Sequence, residues 1–448
     1  MRNDRNKVTM QQDRGELKFQ KSINRRGFLT PHKDFQMGNF KFIKWFTFLA
    51  LVLFLTACSI KVYNPNIEVE KLWKYSLGGE NEFYLVQPSP SLEDVNYDGI
   101  LEVVTGNPKG FIYSLSGENG KPEWRFKAND AISSTPAIGD VVGIGGKEIL
   151  AGSLDGNLYC LLGEKRKLVW SYQTGNDIFS RPVLLPGIGE ENVNVIFASG
   201  DTLYSVSGKD GELIWKFKTD SNISSGITLS DIDNDEVIEI LLGSEDHNLY
   251  CLRGEDGKVI WKFTTGDQVY STPQVADLAQ EGEERVVFGS FDNKVYCLRG
   301  INGEVIWTFQ AEDNISAAPA IADVSPEKGI EVLVGSWDNN LYCLSGVDGR
   351  LLWKFSAGNW IISTPVVASL YSKDKKEVIF GSRDNLLYCL EGDTGKLLWS
   401  FDAGDEIWTT PAVGDIKNDG SKNIITASKA DKILCLKSYL KKGLKNSE

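Results

Sequence analysis

The chain has 448 residues, 42% of them hydrophobic and 24% charged, with 61 acidic against 48 basic residues and two histidines. It is long enough for a large core. Its formal net charge of −13, with no basic patch among interleaved aromatics, excludes a nucleic-acid partner.

Residues 1–36 read as an upstream extension without structure. "INRRGFLT" imitates a twin-arginine signal, but the polar stretch "PHKDFQMGNFK" separates it from the next apolar run, so Met37 is the expected start and twin-arginine export the alternative. Residues 37–57 read as a signal peptide. Lys41 and Lys44 precede an uncharged run from Trp45 to Ala57, which suits a signal core and is short for a bilayer span. Leu55-Thr56-Ala57-Cys58 resembles a bacterial lipobox, which implies lipidation of Cys58, export and a membrane anchor. The alternative is an ordinary secretory signal with an incidental Cys. Ser59 does not match the Asp that retains some lipoproteins in the inner membrane, so the outer membrane or cell surface is expected. Eleven basic and four acidic residues precede Cys58, so the exported chain carries 37 basic and 57 acidic residues, net −20. That charge favours cationic partners or ions. Residues 58–69 read as a linker.

From residue 70 the chain repeats. Trp73, Trp124, Trp170, Trp215, Trp261, Trp307, Trp353 and Trp399 recur mostly at intervals of 45 or 46 residues. Such a period, with four short strands per unit, predicts a β-propeller. "LYCLSGVDGRLLWKF" (341–355) reads as a hairpin, because Asp348-Gly349 between two apolar runs supplies the positive φ that a tight turn needs. The most regular unit predicts strands Pro365–Ala368, Val378–Gly381, Leu386–Leu390 and Leu397–Phe401, and nothing in the repeats has sustained helical periodicity. The first Trp strand, "EKLWKYSL" (70–77), has no strands before it, and the last three-strand set, 410–436, has no Trp strand after it. Pairing these leftovers predicts an all-β, single eight-bladed β-propeller over residues 70–437, its four-stranded antiparallel blades closed by the N-terminal strand. Residues 438–448 remain as a tail.

"DTGKLLW" (393–399), with "EDGKVIW" and "KDGELIW", resembles the tryptophan-docking motif of pyrroloquinoline-quinone (PQQ)-like propellers. The resemblance covers about residue 72 to the C-terminus and implies eight blades with each Trp packed between neighbours. The family includes quinoprotein dehydrogenases and BamB, a non-catalytic lipoprotein of the outer-membrane β-barrel assembly machine, so it specifies fold more than function. For a dehydrogenase it implies an active-site Asp, calcium beside the quinone and adjacent cysteines. No cysteines are adjacent here, and PQQ is disfavoured.

Cys160, Cys251, Cys297, Cys343, Cys389 and Cys435 share one slot in the third strand of their repeats. Neighbouring copies fall on different blades, beyond the Cα separation a disulfide tolerates, so they read as small buried hydrophobes. His247, in the turn "SEDHNLY" where other repeats have Asn or Gly, reads as a surface residue. Without HExxH or CxxC, catalysis is poorly supplied.

Calcium is the better-supported cofactor. "DVNYDGILE" offers Asp94, Asn96, Asp98 and Glu102 around Gly99, alternating oxygens as a loop wrapping a hard cation would. It resembles the Asp-rich loops of integrin-type (FG-GAP) propellers. "DIDNDEVIE" repeats it at Asp231, Asp233, Asp235 and Glu239, with Glu236 in place of the Gly, and "DIKNDGSKN" puts Lys417 in a ligand slot. The flanking acids also recur where the middle ones are missing, as Asp140, Asp277 and Asp323 and as Glu148, Glu331 and Glu377. A structural turn role therefore stands beside the metal reading, and Asp94 is the stronger metal candidate.

Three residues before each first-strand Pro, at the mouth of the central channel, the register places Gln87, Ser133, Phe179, Ser224, Tyr270, Ser316, Ile362 and Trp408. Phe179, Tyr270 and Trp408 break a mostly small or polar ring, either as inter-blade packing or as a contact surface for a partner or ligand. Exposure is expected for Trp408 and Tyr270, and less for Phe179, whose neighbour Arg181 replaces the usual Thr. The expected function is a monomeric, membrane-anchored scaffold that binds an envelope protein, BamB-like in its most concrete form. Polysaccharide or small-ligand binding is the alternative, and an enzyme comes last.

Overall fold

The computed structural model describes residues 60–78, 88–187 and 193–441. The extension, the signal segment, Cys58 and Gln87 lie outside them. The described residues form eight antiparallel sheets and no helix. In chain order the blades occupy residues 91–127, 137–173, 183–218, 227–264, 274–310, 320–356, 366–402 and 412–440 (blades 1 to 8).

Burial follows strand position. The second strand of most blades, such as Glu331–Gly335, is buried along its whole length, because sheets cover both its faces. This explains runs of consecutive apolar residues where an open sheet would alternate. The fourth strand, such as Val259–Thr264, is an outer edge and alternates between exposed and half-buried. The seventh unit matches its expected strands, observed as Val366–Ala368, Glu377–Gly381, Leu386–Glu391 and Leu397–Asp402.

The ring closes through the leftover strands. Ile67–Ser76 is the outer strand of blade 8, with Trp73 opposite Cys435 and Ile67 opposite Leu440. Three stretches differ from expectation, the first being residues 67–69, expected as linker and observed as the start of that outer strand. Within the linker of residues 58–69, Ile60–Val62 adds a fifth strand to blade 7, Val62 facing Trp399. At the other end Lys432–Leu440 continues past residue 437, so Ser438–Leu440 is strand and not tail.

The Trp motif has a geometric cause. Trp307 donates its indole N–H to the Gly346 carbonyl of the next blade (3.0 Å), and Trp73, Trp170 and Trp353 do the same to Gly117, Gly208 and Gly392. The ring then lies on the next blade's hairpin. At Gly349, φ is +74°, and a Cβ would sit 2.6 Å from the Trp307 ring. Gly is thus required there for its backbone and for its missing side chain. Across the strand the Trp faces a small residue, Cys343 for Trp353 and Ser205 for Trp215, where a bulge interrupts the register. All six described cysteines occupy such buried sites and are unpaired.

Candidate functional site: one face of the ring

Consecutive strands alternate in direction. The loops between blades and the turns joining second to third strands therefore share one face, and the loops joining first to second strands share the other. Phe179, Tyr270 and Trp408 lie on the first face, and both Asp-rich loops on the second.

On the first face each second-to-third-strand turn is sewn to the inter-blade loop beside it. The backbone N–H groups of Phe291, Trp337, Arg383 and Lys429 donate to the carbonyls of Gln268, Asn314, Trp360 and Glu406, at 2.9–3.0 Å. Beneath the tip, an Asp accepts a Tyr hydroxyl of the third strand, as in Asp338 with Tyr342 (2.7 Å) and Asp384 with Tyr388 (2.6 Å). Burial and the adjacent carboxylate raise these phenols well above their ordinary pKa. The recurrent Ser-x-Asp-x-x-x-Tyr spacing is the sequence signature of this brace, and it holds the tip residue rigidly.

The tips of blades 5 to 8 carry an aromatic column. Tyr270 stacks on Phe291 (centroids 4.5 Å apart), Phe291 meets Trp337 edge-on (5.2 Å) and Trp337 stacks on Trp360 (4.3 Å). The Arg383 guanidinium lies between Trp360 and Trp408, at 4.5 and 5.1 Å, and the Lys429 ammonium sits 4.6 Å from the Trp408 ring. Polar ends are anchored. The Tyr270 hydroxyl donates to Glu245 (2.8 Å), the Trp337 indole to Ser316 (2.9 Å) and the Trp408 indole to Glu406 (2.6 Å). Burial opposes ionisation of Glu406, but hydrogen bonds from Arg383 and Trp408 outweigh it and lower its pKa. Burial and Glu245 push Tyr270 up to about 12.

Tyr270 and Trp408 are therefore half-buried members of a packed column, whereas Phe179 is 48% exposed. This reverses the expected order. Exposure follows the neighbours: Phe291, Trp337 and Arg383 come from second-to-third-strand turns, and Trp360 from an inter-blade loop two residues before Ile362, so none stands in the channel-mouth register. The signal for the three turn residues was the residue after Ser in "SFDN", "SWDN" and "SRDN", where other repeats vary.

On the opposite face the flanking acids have a turn role in every blade that carries them. Glu102, Glu148, Glu239, Glu331 and Glu377 each accept the backbone N–H of a residue seven positions earlier, at 2.7–2.9 Å. Asp94 accepts from Asp98 and Gly99, and Asp231 from Asp235 and Glu236. The two loops still differ. Ligand oxygens of Asp231, Asp233 and Glu239 lie within 4.8 Å of one another, and slight burial with the Asp235 and Asp231 charges raises the Asp233 pKa. In the first loop, Asn96 turns its amide nitrogen to Asp98 (3.2 Å) and Glu102 (3.3 Å), so N–H donors already occupy oxygens of the ligand set. Three acids crowded without a counterion fit a divalent cation, and the second loop fits it better than the first. Lys417 is ion-paired with Glu118 (2.7 Å), which accounts for it without a metal. His247 lies in the left-handed turn position, φ 69°, shared with Asn293 and Asn339 in other blades.

A family profile described as "Outer membrane protein assembly factor BamB" matches residues 108–238 and 292–370. One described as a lambda-carrageenase β-propeller domain matches residues 200–313. No curated protein matches the chain in sequence. Among solved structures, BamB from Moraxella catarrhalis superposes with a TM-score of 0.60 at 14% identity, over 83% of this chain and 100% of that one. A quinohemoprotein alcohol dehydrogenase from Pseudomonas putida gives 0.63 at 13% identity, over 82% and 76%. Sqt1 of Saccharomyces cerevisiae gives 0.62 at 14%, over 82% and 98%. At such identities these likenesses speak for fold alone. The repeat, the docked Trp residues, the closed ring and the profile match make this chain a PQQ-like β-propeller.

Proposed function

We propose that the protein is a non-catalytic, lipid-anchored propeller that binds another protein of the cell envelope through the face bearing the aromatic column, in the manner of a BamB-type assembly factor. The observation that carries this reading is the concentration of Tyr270, Phe291, Trp337, Trp360, Arg383 and Trp408 on the tips of four adjacent blades. Aromatic and Arg side chains carry most of the energy of protein contacts, and a column already stacked loses little freedom on binding. The test is a pulldown from detergent-solubilised envelope with the protein and with Trp337→Ala and Trp408→Ala. Barrel-assembly proteins recovered by the parent and lost with both variants support the reading, and their absence from the parent pulldown refutes it. Cys58→Ala should release the protein from membranes after a high-salt wash.

A second reading, polysaccharide binding, is favoured by the carrageenase-propeller match, which spans Tyr270 and Phe291. It is the weaker one, because sugars stack on free ring faces and the column's faces are covered by one another. PQQ does not fit. Each described cysteine is buried beneath the Trp of its own blade, and no two stand side by side to stack on a quinone. In the Asp-rich loops, Asp231, Asp233 and Glu239 would hold calcium, which would tie the loop to the folded blade.

A further inference from the structure

The central channel encloses about 790 Å³ and is lined at one level by the residue that precedes the first strand of each blade. Five of these eight positions are Ser or Thr (Ser89, Thr135, Thr272, Thr364 and Thr410), two are smaller, and one, in blade 3, is Arg181. The hydroxyls stitch blades together. Thr135 accepts the Ser89 backbone N–H (3.0 Å), Thr272 that of Gly226 (2.9 Å) and Ser89 that of Thr410 (3.0 Å). A hydroxyl that accepts from the wall still has its own proton to donate. The ring therefore offers O–H donors around one guanidinium.

Arg181 is exposed to the channel and has no hydrogen bond or ion pair among the described residues, and the surrounding channel wall lowers its pKa with no described carboxylate to oppose it. Among the described residues the one carboxylate on the channel lining, Glu93, is taken by Lys147. Four other arginines pair with carboxylates, among them Arg253 with Asp256, Arg299 with Glu283 and Arg383 with Glu406, and the buried Arg285 donates to the Gly346 and Val347 carbonyls. A solvent-accessible guanidinium, unpaired among the described residues and facing a channel lined by hydroxyl donors, is poised for an anion, and its planar fork matches an oxyanion in two hydrogen bonds.

We propose that the channel is a binding site for a small oxyanion, a carboxylate or a phosphate, held by Arg181 and the surrounding Ser and Thr hydroxyls. The site is independent of the protein-binding face. Inorganic phosphate and succinate, each against chloride at matched ionic strength, would be titrated into the whole exported protein by calorimetry, with melting followed in parallel. Saturable heat with at least one anion is expected, accompanied by a rise in melting temperature, and the tighter of the two identifies the ligand class. Arg181→Thr restores the residue that four other blades carry, so it should fold. It should lose affinity by about tenfold or more, as removal of a charge-assisted pair does, while Arg181→Lys keeps part of it. No saturable heat with either anion, or equal binding by a folded Arg181→Thr variant, would overturn the proposal.

Discussion

The Trp399 indole donates to the Tyr371 hydroxyl at 2.8 Å, where Trp73, Trp170, Trp307 and Trp353 each donate to a glycine carbonyl of the next blade. The difference marks the closure. The carbonyl position that Gly392 fills for Trp353 is occupied 46 residues later by Ser438, and Tyr371 bridges Trp399 to the Ser438 side chain (2.5 Å). With Val62 covering its strand, Trp399 is fully buried. Tyr371→Phe should leave that indole without a partner and cost about 1–3 kcal/mol, the price of a buried unsatisfied donor. Urea melts of the variant would measure it, and no loss would mean that water or backbone replaces the bridge.

Closure itself can be cut. Removing everything before residue 80 deletes the outer strand of blade 8 and the fifth strand of blade 7 together. The truncated ring should melt well below the whole exported chain and expose a sheet edge that promotes aggregation. Equal melting temperatures would contradict the pairing of Trp73 with Cys435.

Packing and contact roles separate on the aromatic face. Trp360→Ala breaks a stacked pair and the support for Arg383, and should cost about 1–3 kcal/mol, below the roughly 3–5 of a fully buried aromatic because the ring is half-exposed. Phe179→Ala should stay within about ±0.5 kcal/mol, as exposed substitutions do. Thermal melts of both, beside pulldowns, distinguish a residue that builds the surface from one that only sits on it.

Calcium should raise the melting temperature, as any ligand restricted to the folded state must. Asp233→Ala should remove most of that gain and Asp98→Ala less, because only the second loop gathers three acidic ligands. Calorimetry without calcium heat at millimolar concentrations would leave both loops as turns alone.

A pH effect follows from Glu377. Burial, only partly offset by the Leu370 N–H, raises its pKa to about 7. The folded chain therefore holds a proton that the unfolded chain releases near the ordinary carboxylate value of 4.5. Its stabilising effect is complete below that value and is lost as pH rises to about 7, by roughly 2–3 kcal/mol. Glu377→Gln should flatten this slope in melts from pH 4.5 to 8. An unchanged slope would show that Glu377 is not its source.

The architecture was legible in the chain because its causes are local and repeated. Asp-Gly turns need positive φ, the Trp spacing measures one blade, and unmatched strands at the two ends require each other. The turn role of the flanking acids could also be read, since it recurs in blades lacking any metal pattern. Tertiary structure alone decided the rest, because each remaining contact joins residues from different repeats. The partners of Tyr270 and Trp408 lie on separate turns, so their half-burial is invisible from their own registers, and Phe179 is exposed because no described ring stacks beside it. Ile60–Val62 carries no repeat signature and becomes a strand only because blade 7 offers it an edge. Arg181 reads in sequence as a lapse from Thr. Its meaning comes from the ring, which brings eight equivalent positions around one axis and leaves that charge without a partner among the described residues.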